Sequence, residues 1–151
     1  MKRFLIIPLF FAVVFLVGCN QPVVFPDVPV IEYDSFVANG IEGKLSFYFT
    51  DGDGDVGLRE NDQSLPSNCY ITYEEKVNGQ WQNAVVSPYR IFYLTPEGQN
   101  KSLKGKMEVT LRPTYYNISS TESDTIRFRV KIMDRASHES NEIITPEIYP
   151  W

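Results

Sequence analysis

TIRFRVKIM, residues Thr125–Met133, carries the clearest structural signal in the chain. Ile126, Phe128, Val130 and Ile132 alternate with Arg127, Arg129 and Lys131. A β-strand turns successive side chains to opposite faces, so this period of two makes one apolar and one cationic face. A helix would scatter the same residues around its axis. The stretch reads as a half-buried strand, and the pattern recurs on either side of it. Gly43–Thr50 sets Leu45, Phe47 and Phe49 against Lys44, Ser46 and Tyr48. Cys69–Val77 sets Cys69, Ile71 and Tyr73 against Tyr70, Thr72 and Glu74. Asn78-Gly79 follows, a strong two-residue hairpin signal, and Gln80–Val86 returns. Tyr89–Leu94 and Gly105–Leu111 are further strands, Val30–Phe36 opens the series and Glu142–Ile148 closes it. No stretch sustains a helical period.

Seven or eight short antiparallel strands in about 120 residues predict an all-β fold, a single antiparallel β-sandwich, with a small β-barrel as the alternative. There is no internal repeat and no low-complexity segment. TIRFRVKIMDRASHESNEIITPEI is similar to the final hairpin of fibronectin type III and immunoglobulin-like domains, although the Cys–Trp–Cys pattern of true immunoglobulin domains is missing. That resemblance implies that the loop after Thr50 and the loop Asp134–Asn141 lie at the same end of the sandwich.

The chain begins MKRFLIIPLFFAVVFLVGC. Lys2 and Arg3 precede an apolar run, Phe4–Val17, that is shorter than the about 20 residues of a bilayer span. Leu16-Val17-Gly18-Cys19 resembles a bacterial lipobox. The resemblance implies removal of residues 1–18, a diacylglycerol thioether on Cys19 and an acyl chain on its new amine. Several acyl chains, at about 0.8 kcal/mol per buried CH₂, hold a protein firmly to a membrane. Residues 19–29 carry Pro22, Pro26 and Pro29 and read as a semi-stiff tether, with the sandwich over 30–151. Lipidation of Cys19 would leave Cys69 without a disulfide partner, so Cys69 reads as a small buried residue. Loss of Lys2 and Arg3 takes the formal charge from −5 to −7. An acidic chain of this kind is a poor nucleic-acid binder and needs its lipid to stay at an anionic surface.

FTDGDGDVGL, Phe49–Leu58, leaves the second of these strands with Asp51, Asp53 and Asp55 at alternate positions. Glycines between carboxylates let a chain curl, and Ca²⁺ takes six to eight oxygens, to which a carbonyl such as that of Gly57 can contribute. If the two loops meet, Asp134 and Asn141 join Asp51, Asp53, Asp55 and Gly57 as candidate ligands. The stretch resembles an EF-hand or dockerin loop but has Val56 where glycine belongs and Asp62 at the twelfth position. A second reading stays open. Asp-Gly pairs also form solvated turns, and repulsion between exposed carboxylates about 6 Å apart is under roughly 1 kcal/mol per pair in water.

FTDGDGDVGL followed by DRASHESN also resembles small Bacteroidota-type outer-membrane lipoproteins of unknown role, over most of the mature chain. The resemblance implies an outer-membrane lipoprotein. With only Asp27 in CNQPVVFPD, it favours the periplasmic face over surface display. Asp124-Thr125-Ile126 is similar to the O-glycosylation acceptor of that phylum, making Thr125 a candidate. Tyr115 and Tyr116 form a candidate glycan platform, because sugars stack on exposed rings. His138 beside Ser137 and Ser140 lacks a nucleophile-elbow context. The expected role is a non-enzymatic, lipid-anchored module for binding or assembly, with an unidentified protein or glycan partner. A glycan-binding lipoprotein is the alternative, and a small envelope hydrolase the third.

Overall fold

The computed structural model describes residues 24–39, 42–61, 66–94, 101–111 and 125–149. Cys19, Tyr115 and Tyr116 lie outside the described residues. Among the described residues seven strands form: β1 (Val30–Asn39), β2 (Glu42–Asp51), β3 (Cys69–Val77), β4 (Gln80–Tyr89), β5 (Leu103–Leu111), β6 (Ile126–Ile132) and β7 (Ile143–Ile144). They make two antiparallel sheets in the orders β1-β2-β5 and β4-β3-β6-β7. This is the all-β sandwich that the alternating stretches predict.

The core follows the period of two. Ile126, Phe128, Val130 and Ile132 are all buried, while Arg127, Arg129 and Lys131 between them are half-buried. From the facing sheet, Leu45, Phe47 and Phe49 join the same cluster. Phe128 sits at its centre, with its ring centroid 5.4 Å from that of Phe36 and 6.0 Å from that of Tyr73. Each large side chain fully withdrawn from water contributes about 1.5–3 kcal/mol. Outside, Glu74 is buried between Arg127 and Arg129, and Arg129 also pairs with Glu142. The cationic face of β6 is thus neutralised by its neighbours.

Asn78 and Gly79 both take positive φ, 51° and 76°, as a two-residue hairpin requires. Two expected strands differ. Tyr89–Leu94 is not a strand of its own: Tyr89 ends β4 opposite Cys69, and beyond it only Phe92 bridges to Leu58, in parallel. Alternation was present there, but the chain has left the sheet that could pair with it. Glu142–Ile148 shrinks to Ile143–Ile144. Pro146 has no amide to donate, and the Thr145 hydroxyl takes the Phe128 N–H instead. Ile148 then rejoins opposite Ile126.

The two sides of the sandwich are treated differently. Where β1 comes near β7, Asn141 closes the gap. Its Oδ1 accepts the Ile31 N–H at 2.8 Å and its Nδ2 donates to the Ile31 carbonyl at 2.9 Å. On the other side β4 and β5 end their sheets. β4 carries Pro88, which an edge strand tolerates, and β5 exposes Lys104, Lys106, Glu108 and Thr110.

Candidate metal centre at the loop end

β2 ends at Asp51, which pairs with Leu103 at the start of β5. The next residues fold back on themselves. Gly54 and Gly57 adopt φ of 70° and 100°, and Val56 and Leu58 are buried with 0% and 1% exposure. The Val56 N–H donates to Asp51 Oδ2 at 2.8 Å, closing the loop on its first carboxylate. Leu58 donates its N–H to the Ile91 carbonyl, laying residues 56–58 beside residues 91–93.

The loop between β6 and β7 arrives at the same end. It is a tight turn held by Asp134, whose Oδ1 accepts the His138 N–H at 2.8 Å and whose Oδ2 lies 2.9 Å from His138 Nδ1. Arg135 joins the two loops. Its N–H donates to the Asp55 carbonyl at 3.4 Å and its guanidinium to the Gly57 carbonyl at 2.6 Å.

The result is a triad. Carboxylate oxygens of Asp51, Asp55 and Asp134 lie within 4.8 Å of one another, and Asp51 and Asp134 are fully buried. Asp51 Oδ1 and Asp55 Oδ1 are buried without a hydrogen-bond partner. Burial is the main cause that pushes the Asp51 carboxyl up to about 6, and the charges of Asp53 and Asp55 add to it. Burial likewise raises Asp55, followed by the charges of Asp134 and Asp53, against a smaller lowering by Arg135. At an effective dielectric of about 20, two carboxylates at this spacing repel by about 3 kcal/mol, several times the figure for an exposed turn. Three ionised carboxylates here call for a proton or a cation among them.

Three of the sequence-derived ligand candidates therefore converge, and three do not. Asp53 is exposed and stays outside the triad, because Val56 and Leu58 anchor the loop in the core and turn Asp53 outward. The Gly57 carbonyl accepts from Arg135, whose positive charge at that oxygen opposes a cation there. Asn141 spends both ends of its amide on Ile31 and ties strands together. Thr125 is 4% exposed, which leaves its hydroxyl no room for a sugar on the folded domain. Cys69 lies in the core, and burial pushes its thiol up to about 12. The Ser140 hydroxyl accepts the Ile132 N–H and donates to the Asn141 carbonyl, a structural plug at the end of β6.

Two residues that the sequence did not single out build this end. Asn68 is fully buried, accepts the Ile91 N–H on Oδ1 and donates from Nδ2 to the Met133 carbonyl. Arg135 was visible only as part of DRASHESN, and nothing local marks it as the brace between loops.

Comparison with protein-family models, with curated proteins and with solved structures finds no match to this chain.

Proposed function

We propose that this chain is a non-enzymatic, lipid-anchored β-sandwich module of the cell envelope, serving binding or assembly, whose two long loops are locked together by Ca²⁺. The observation that carries the cation is the pair of buried, unpartnered oxygens, Asp51 Oδ1 and Asp55 Oδ1, within a triad completed by Asp134. Such groups are costly unless something satisfies them, and a divalent cation satisfies both at once. Hard carboxylate oxygens suit calcium, whereas magnesium prefers to keep several waters and seldom uses cages built wholly of protein. Zinc would want nitrogen or sulfur. His138, the chain's single histidine, has Nδ1 on Asp134, and Cys69 is in the core. The anchor is supported by Leu16-Val17-Gly18-Cys19 and the charged, apolar segment before it.

The test is thermal unfolding of the mature protein in chelator, in millimolar calcium and in millimolar magnesium. A cation at 100 times its dissociation constant stabilises by about 2.7 kcal/mol, several degrees in a domain of this size. Calcium should raise the midpoint, and Asp134→Ala should abolish the rise. No response to calcium in the parent protein would leave the triad a protonated, metal-free loop lock. Mass analysis of the mature N-terminus checks the anchor separately, by the added mass on Cys19.

A further inference from the structure

The chain enters the sandwich at the loop end. Val30 begins β1 opposite Thr50, one residue from Asp51. Upstream, the expected tether is not free along its whole length. Gly52 donates its N–H to the Pro26 carbonyl at 2.8 Å, and a Cβ on Gly52 would overlap the Phe25 and Pro26 backbone. Pro29 is buried. Seven residues separate Pro26 from Cys19, a reach of at most about 25 Å when fully extended. The Asn78-Gly79 turn lies at the opposite end, farther off by the length of a nine- or ten-residue strand, about 30 Å.

The end nearest the anchor has a distinctive surface. Phe92 is 79% exposed, and Tyr93 and Leu94 beside it are also exposed. The Arg59 and Arg135 guanidiniums stack over the Tyr93 ring at 5.3 and 5.0 Å from its centroid. Arg90 is next to them, donating to the Arg59 and Pro66 carbonyls. Aromatic rings with a polar edge favour the headgroup level of a membrane, and guanidinium is the side chain best matched to phosphate. Asp53 and Glu60 are exposed at the same end, so charge alone would not bring the free domain to an anionic surface. A short tether changes that requirement. It holds the loop end at an effective concentration in the millimolar range, so millimolar intrinsic affinity is enough.

We propose that this loop end faces the leaflet that holds the anchor, with Phe92 and Tyr93 among the headgroups and Arg59 and Arg135 on lipid phosphates. This rests on the lipid anchor proposed above. The experiment uses the mature lipoprotein in vesicles of zwitterionic lipid with a quarter anionic phosphatidylglycerol, doped with brominated lipid. Phe92→Trp adds a reporter at an exposed site that accepts the larger ring, and the parent's own tryptophan emission is the baseline. Added emission quenched at least about twofold is expected, since an indole at the headgroup level meets brominated chains. Arg59→Glu should reverse most of the quenching, whereas vesicles without anionic lipid, which keep their phosphates, should retain most of it. An unquenched reporter on protein that floats with the vesicles overturns the orientation while leaving the anchor intact. A reporter that instead responds to added polysaccharide makes the patch a sugar platform and also overturns it. Protein that does not float removes the anchor and this orientation together.

Discussion

Replacing Asn141 by alanine should weaken the whole domain, and by the same amount with and without calcium. The side chain supplies both hydrogen bonds that Ile31 directs away from its own sheet, at 2.8 and 2.9 Å. Ile31 is 2% exposed but Asn141 itself is exposed, so water replaces the lost amide only in part. A buried backbone group stripped of its partner costs about 1–3 kcal/mol, so two such groups cost about 2–6 kcal/mol, and partial replacement by water brings the expected loss to about 2–4 kcal/mol. For a domain of this length that corresponds to a fall of about 10 °C in Tm. Asn141→Asp keeps an acceptor for the Ile31 N–H, loses the donor to its carbonyl, and should fall between parent and alanine. The assay is thermal unfolding by circular dichroism of the mature protein and both variants, in chelator and in millimolar calcium. A loss below about 0.5 kcal/mol would refute the clamp, being the size of an ordinary surface substitution. So would a loss seen only when calcium is present, because that would return Asn141 to the cation site.

In chelator, the protein should be more stable at pH 5 than at pH 7. A carboxyl raised to about 6 from its ordinary 3.8 stabilises the fold below 3.8 and loses that contribution as pH climbs through about 6. Asp51 alone gives a difference of about 1 kcal/mol between those two pH values, and Asp51→Asn should remove it along with the calcium response. Gly57→Ala should unseat the loop, since its φ is 100° and the new Cβ would fall on the Phe92 carbonyl oxygen; reduced Tm and increased protease cutting near Phe92 are the readouts. Cys69 should resist thiol reagents in the native protein and react only on unfolding, as its burial and a thiol pushed up to about 12 require.

Strands with strict alternation were legible residue by residue. β3 and β6 have the expected inward sets because a period of two in Cys69–Tyr73 or Ile126–Ile132 admits one buried face. The meeting of Asp134 with Asp51 was legible through topology: once the strand order is right, the two loops share an end. The finer ligand set was not legible. It depends on Val56 and Leu58 docking in the core, on Arg135 reaching the Gly57 carbonyl, and on Asn141 finding Ile31 across 110 residues. These are tertiary events with no local spacing. Pro146 was there to mark the break in the last strand, although the reading of Glu142–Ile148 as one strand passes over it, whereas Phe92 looks like any strand aromatic until its surroundings are known.

Edge strands offer unpaired amides and carbonyls to any chain that drifts alongside, and that hazard grows when copies are confined to two dimensions. Here Asn141 stitches one side of the sandwich, while the other is left to Pro88 on β4 and to Lys104 and Lys106 on β5. Lys106 is neutralised by Asp34 at 2.8 Å, so a neighbour approaching that open side in the same orientation would meet chiefly the missing donor of Pro88 and the ammonium of Lys104. The anchor proposed above would therefore let such molecules be packed densely side by side without zipping into a continuous sheet along that side.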